Sequence, residues 1–209
     1  MRDQSVGESL PTEVRIMDDD RISHVPHVLA AIQTDTDELG FRLASEPKTG
    51  SLLRVLAASK PGGRFLELGT GTGVGTAWLL AGMDRHSRLV SVDTDPKVQT
   101  VAKRNLSQDT RVTFHLEDGA AFLETVAERF DLIYADAWPG KFTHLDRALS
   151  RLKKGGIYFI DDLLPQPNWP EGHAPRVPAL IEDLEGRSGF VVAKMAWASG
   201  LMIVVQTDG

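Results

Sequence analysis

From residue 64 onward, short apolar runs alternate with longer amphipathic stretches. The runs at 64–68, 89–92, 112–115, 132–134 and 157–160 are rich in Val, Ile, Leu, Phe and Tyr and read as strands. Between them, 73–81, 96–105, 120–128 and 143–152 have helical spacing. Strands alternating with helices predict an α/β fold, a parallel sheet with helices on both faces. The strands are almost wholly apolar, as strands buried on both sides must be. After residue 160 the order changes. The segment 161–176 carries Pro165, Pro167, Pro170 and Pro175 and reads as a long loop. A helix over 177–184 and strands over 191–196 and 201–206 follow, with Ala198-Ser199-Gly200 as a hairpin turn. Upstream, 46–58 is a helix with Leu52, Leu53, Val55 and Leu56 as its apolar stripe, stopped by Pro61-Gly62-Gly63. A second helix is expected over 21–39, with Val25, Val28, Leu29 and Ile32 on one side and Pro26 near its start. Residues 1–20 are polar, include Asp18-Asp19-Asp20, and read either as a loose, partly helical arm or as a disordered tail.

Composition narrows the function classes. With no cysteine among 209 residues, disulfides and thiolate-based zinc sites are excluded. A net charge of −6 gives no electrostatic reason for non-specific nucleic-acid binding. The charged N-terminus lacks a signal-peptide core, and no apolar run approaches the ~20 residues of a membrane span. A cytoplasmic location is the default expectation.

The densest chemical signal is Phe65-Leu66-Glu67-Leu68-Gly69-Thr70-Gly71-Thr72-Gly73-Val74-Gly75-Thr76, where the first strand turns into a helix. Glycines let the backbone bend sharply and approach a ligand, and the helix start offers unpaired N–H groups to an anionic group. A structural glycine turn and a dinucleotide site compete for this pattern. The dinucleotide fingerprint Gly-x-Gly-x-x-Gly is out of register, since Val74 and Thr76 stand where its last glycine belongs. The second strand ends in Asp93, a carboxylate able to accept from a ribose diol, while Thr94 or Asp95 caps the helix begun by Pro96.

Glu67-x-Gly69-x-Gly71-x-Gly73 with Asp93 resembles the cofactor motif of class I S-adenosylmethionine (SAM)-dependent methyltransferases. That resemblance implies a Rossmann-like sheet of seven strands with an antiparallel C-terminal hairpin. It implies SAM contacts from Glu67, Gly69, Thr70, Gly71, Gly73, Thr76, Asp93 and Thr94. Asp118 and Gly119 would lie by the adenine, and Asp136 and Trp138 beside the cofactor. A helix-capping role competes for Asp118.

The fourth strand ends in Asp136 and the fifth in Asp161-Asp162. Three carboxylates at neighbouring strand tips repel unless protons or a hard cation such as Mg²⁺ intervene. From Glu46 to Gln206 the chain resembles the metal-dependent O-methyltransferases of the catechol and caffeoyl-CoA type, including Glu46-Pro47-x-x-Gly50-x-Leu52-Leu53. The resemblance implies a divalent cation on Asp136, Asp161 and Asp162, a small hydroxyl-bearing acceptor, a catalytic lysine and a homodimer. It also implies that residues 1–60 form an acceptor- or dimer-facing part and 61–209 the SAM-binding domain. Three positions depart from the pattern. Asp162 replaces an Asn, Pro139 occupies the lysine position with Lys141 two residues on, and Met195-Ala196-Trp197-Ala198 lacks the carboxylate that helps bind catechols. Lys141 with Asp136, or one of His24, His27, His144 and His173, would take the acceptor's proton. The acceptor pocket is expected between the N-terminal helices and a proline-rich lid bearing Asn168, Trp169 and His173. Alternatives are a metal-independent or tRNA-directed methyltransferase, a non-catalytic SAM-binding protein and a nucleotide-dependent oxidoreductase.

Overall fold

A computed structural model describes residues 18–208; the expected arm lies outside them as far as residue 17. Seven strands form one sheet: β1 (Arg64–Leu68), β2 (Arg88–Asp93), β3 (Val112–Leu116), β4 (Phe130–Ala135), β5 (Leu152–Ile160), β6 (Phe190–Met195) and β7 (Leu201–Gln206). Their spatial order is β3-β2-β1-β4-β5-β7-β6. The first five pair in parallel, and β7 pairs antiparallel with both β5 and β6. The expected hairpin is therefore present. The helices are α1 (Leu29–Leu39), α2 (Pro47–Ala58), α3 (Val74–Gly82), α4 (Pro96–Leu106), α5 (Gly119–Thr125), a single kinked turn α6 (Trp138–Lys141), α7 (Leu145–Ser150) and α8 (Val177–Gly186).

Strand periodicity sorts side chains to the two faces. Phe65, Leu132, Tyr134 and Phe159 pack on one face with Ile32, Leu53 and Trp78 from the helices. Leu66, Leu68, Ile133, Tyr158 and Ile160 pack on the other with Phe122, Leu149 and Leu184. The outermost strands β3 and β6 are less covered: their burial alternates or is partial, so the two-sided burial expected for every strand holds only in the middle of the sheet.

Several details differ from expectation, among them the end of α5 at Thr125 rather than 128. The first helix starts at Leu29 rather than 21, because His24 is left-handed and Pro26 stands just ahead of the helix; Val25 is left exposed. In α2 the buried side is Thr49, Gly50, Leu53 and Ala57, and Val55 faces solvent. The helix expected over 143–152 ends at Ser150, and Leu152 opens β5 instead. A register shift between Phe130 and Leu132 absorbs Lys153 to Gly156, with Gly155 left-handed. Among the described residues no helix is long and apolar enough to cross a membrane.

Gly50 has a packing reason. A Cβ there would overlap the indole of Trp78, which is 1% exposed in the α2–α3 interface. Overpacking of this kind costs about 1–3 kcal/mol. Gly50→Ala is therefore expected to lower the melting temperature by roughly 2–4 °C per kcal/mol lost, read by differential scanning calorimetry.

Candidate active site

The tips of β1, β2 and β4 enclose a cavity of about 350 Å³. At Gly69 (φ 103°) the chain leaves β1 in a left-handed conformation, and a Cβ would lie 2.7 Å from the Asp136 carbonyl oxygen. Only glycine lets the β1 and β4 exits come this close. Gly71 donates its N–H to Asp93 Oδ2 at 2.7 Å, and Asp95 N–H donates to Oδ1 at 2.9 Å. Asp93 thus anchors the glycine loop to β2, each oxygen retains further acceptor capacity, and the residue lines the cavity. Asp95, with Pro96 behind it, caps α4 through Lys97 N–H. Asp118 caps α5 through Ala120 and Ala121 N–H, the helix-capping role weighed for it, and it also lines the cavity.

Beneath the loop lies a buried polar network. Glu67 is fully buried, and its Oε2 accepts from the hydroxyls of Ser91 (2.5 Å) and Thr76. Ser91 gives its single proton to Glu67, so the 2.7 Å contact between Ser91 and Thr70 must be donated by Thr70. Gln99 Nε2 donates to Thr70 Oγ1 at 3.4 Å and to the His115 carbonyl at 2.8 Å. The chain of donation runs from α4 through the loop to β1. Burial pushes the Glu67 carboxyl up to about 8, with the Asp93 charge adding to it, against the two hydroxyl donors.

Of the expected cofactor residues, Gly69, Thr70, Gly71, Asp93, Thr94, Asp118, Gly119, Asp136 and Trp138 line the cavity. Glu67, Gly73 and Thr76 do not: they lie behind the loop and shape it. Phe41, Leu43, Ala44 and Ser45, between α1 and α2, form a wall that sequence reasoning missed. This segment follows Gly40, the left-handed cap of α1, and carries no pattern that marks a cavity wall.

A second, small cavity of about 50 Å³ adjoins the first and shares Leu43, Ala44, Ser45 and Asp136 with it. Glu46, Asp161, Asp162, Gln166, Asn168 and Ser199 complete its lining. Tyr134 is wholly buried, and its hydroxyl lies 3.1 Å from Asp136 Oδ2, 3.0 Å from Asp161 Oδ2 and 3.0 Å from Ser45 Oγ. Asp161 Oδ1 accepts from the Ser199 hydroxyl and from the Asp162 N–H. Lys141, only 3% exposed, places Nζ 3.9 Å from Asp136 Oδ1. Burial raises the Asp136 carboxyl well above the ordinary range; the neighbouring Asp161 adds to this and Lys141 opposes it. The Asp161 carboxyl is raised too, again chiefly by burial.

The expected cation triad is not assembled. Among the described residues, the only three acidic or histidine side chains with ligand atoms within 4.8 Å of one another are the exposed Asp18, Asp19 and Asp20. Asp136 and Asp161 are instead joined by the Tyr134 hydroxyl, and both Asp161 oxygens already accept from internal donors. The side chains as arranged do not fit an octahedral ion, which needs oxygens at ~2.0–2.1 Å around one point.

The histidines proposed as bases are elsewhere. His24, His27 and His144 are exposed. His173 is buried, and its Nε2 sits 2.9 Å from the Asp162 carbonyl, so that nitrogen carries the proton. Burial lowers its pKa, which keeps the ring neutral. His173 stacks on Trp169 at 4.4 Å and meets Phe142 edge-on, and Phe142 meets Trp138. This aromatic row fastens the proline-rich segment to the β4 exit. Asn168 Nδ2 donates to the Arg42 carbonyl at 2.7 Å and fastens it to the wall segment. Asn168 lines the small cavity, whereas Trp169 and His173 line neither cavity and hold the loop from behind.

A sheet of order 3-2-1-4-5-7-6 with a ligand cavity over the glycine turn defines the class I methyltransferase fold. The methyltransferase-domain family matches residues 66–163. A Mycobacteroides abscessus protein designated an O-methyltransferase is 31% identical over 211 residues, covering 95% of this chain and 97% of that protein. One from Mycolicibacterium smegmatis with the same designation is 34% identical over 117 residues, 54% of this chain and 55% of that protein. For it and two Mycobacterium leprae relatives, the match spans about half of their length. The crystal structure of the O-methyltransferase TomG from Streptomyces achromogenes, in complex with SAM, superposes with a TM-score of 0.76 at 22% identity, over 87% of this chain and 90% of that one. The chain belongs to the O-methyltransferase family.

Glu67 carries a pH signature. Its carboxyl ionises near 4.5 when unfolded and near 8 when folded. Between those values, ionisation favours the unfolded chain. Stability is therefore highest below 4.5 on this account and declines as pH climbs to 8, by at most about 5 kcal/mol. Glu67→Gln is expected to flatten that decline, seen as a smaller difference between melting temperatures at about pH 5 and pH 8.

Proposed function

We propose that this chain transfers the sulfonium methyl group of SAM to a hydroxyl oxygen of a small molecule. The observation that carries this reading is Asp136, which lines both the glycine-loop cavity and the small acidic cavity beside it. A methyl donor in the first and a hydroxyl in the second would meet at that side chain.

In this reading Asp93 accepts from the ribose hydroxyls, and the first turn of α3 faces the amino-acid carboxylate of the cofactor. The bound TomG structure supports SAM as the occupant. The acceptor oxygen attacks the methyl carbon, the carbon–sulfur bond breaks, and its electrons leave the sulfur as the neutral thioether of S-adenosylhomocysteine (SAH). The acceptor's proton passes to Asp136. A carboxyl held above its usual range is a better base near neutrality. Lys141 lines neither cavity, so its ammonium acts through Asp136, favouring the ionised carboxylate. The main contribution of the protein is alignment of donor and acceptor. The wall segment before α2 and the proline-rich loop form the acceptor side. Four carboxylate side chains in the small cavity, Glu46, Asp136, Asp161 and Asp162, disfavour a phosphate-bearing acceptor such as tRNA. No step in this reading passes through a metal.

Calorimetry with SAH tests the cofactor half. Binding is expected in the wild type and weakening of at least about tenfold in Asp93→Ala; no binding by the wild type would sink the reading. The catalytic half is read from pH profiles with labelled SAM and a panel of hydroxyl acceptors. Activity should rise with pH as Asp136 loses its proton. Lys141→Met removes the charge that holds this pKa down, so the rise should move to higher pH, with a loss of about 10²-fold near neutrality.

A further inference from the structure

The β4 and β5 carboxylates lie where the resemblance places a divalent cation, yet the structure fills that place from within. Three observations bear on it. The Tyr134 hydroxyl lies between Asp136 Oδ2 and Asp161 Oδ2, at 3.1 and 3.0 Å. An ion bound to both oxygens would have to push it aside. The other oxygen of Asp161 is held by the Ser199 hydroxyl and the Asp162 N–H, so turning it toward an ion costs two hydrogen bonds. Lys141 Nζ is buried 3.9 Å from Asp136 Oδ1, and a divalent ion on the same carboxylate would face a fixed positive charge a few ångströms away.

The Lys141 ammonium has no second acidic partner within 4 Å among the described residues, so it is committed to this cluster. The tyrosine arises from β4 itself. Tyr134 stands opposite Glu67 in the β1–β4 register and shares a face with it, and its hydroxyl reaches Asp161 at the β5 tip. Ser45, from the segment between α1 and α2, adds a third contact to the phenol and steadies it.

We infer that in this chain the Tyr134 hydroxyl and the Lys141 ammonium take the place of a divalent cation between Asp136 and Asp161, so that the site excludes Mg²⁺ and Mn²⁺. This inference rests on the proposed methyl transfer and specifies how that site is organised. Lys141 supplies the positive charge and Tyr134 the bridging polar contact. Asp136 is thereby free to receive a proton instead of being tied to an ion. The departure at Pro139 fits the same arrangement. Pro139 and Gly140 break the helical turn, with Gly140 at φ 88°, and this brings Lys141 inward toward Asp136.

The test is Mn²⁺ titration of the full chain with SAH present, read by electron paramagnetic resonance. Wild type is expected to show no Mn²⁺ site that depends on Asp161 below about 1 mM. Asp161→Asn separates this site from uptake at the exposed Asp18–Asp20 triplet. In Tyr134→Phe/Lys141→Met the wedge and the competing charge are gone, and an Asp161-dependent site should appear with affinity raised at least about tenfold. Tyr134→Phe alone, expected to show a smaller gain, stands in if the double variant does not fold; thermal melting and SAH affinity check both. A micromolar Mn²⁺ site in wild type that Asp161→Asn abolishes would overturn the inference. So would failure of the folded variants to gain a site. Calorimetry with SAH alone reads the methyltransferase assignment separately, so the two failures are distinguishable.

Discussion

The close approach of the β1 and β4 exits at Gly69 is the constraint on which the site depends. With no room for a Cβ between Gly69 and the Asp136 carbonyl, the glycine turn and the fourth strand tip are held against each other. The backbone cements the contact, as Asp136 N–H donates to the Leu68 carbonyl at 2.9 Å and Gly69 N–H to the Val92 carbonyl at 2.9 Å. Three strand ends are thereby fixed relative to one another. Both cavities open from that junction, and Asp136 belongs to each because of it.

Underneath, the sheet is firm where the chemistry needs it and looser at its margins. The central strands β1 and β4 bury nearly every side chain, and Glu67 is carried into that interior with hydroxyl partners arranged around one oxygen. Its other oxygen has no donor. A buried carboxyl in this position links α3, β2 and, through Thr70 and Gln99, α4 to the same loop. The loop's shape is thus a property of several elements rather than of its glycines alone.

Much of this was legible in the residues. Alternation of apolar runs and helical spacing located all seven strands, because central strands must be apolar and helices must present a stripe. Asp93, Asp118 and Asp136 were readable as strand-tip groups because open α/β sheets place ligands at the carboxyl ends of their strands. Other features were not legible. The left-handed His24 and the bulge at Lys153 to Gly156 are set by tertiary packing, and local propensity carries little sign of them. The wall from Phe41 to Ser45 is a loop, and nothing in its spacing announces a cavity. Glu67 reads as a ligand contact in sequence, yet strand alternation turns it beneath the turn, where it acts as a support. The three strand-tip carboxylates left protons or a cation open on charge, and the family resemblance implied the ion. Only the third dimension shows Tyr134, a residue that reads as plain core, reaching between two of these carboxylates.

The Asn168–Arg42 hydrogen bond has a consequence for the rim of the site. It stitches the proline-rich segment, which borders the small pocket, to the stretch that walls the large one. Moving either segment away from the other costs this hydrogen bond. The borders of the large and small cavities are thus tied together at one seam between residues 42 and 168.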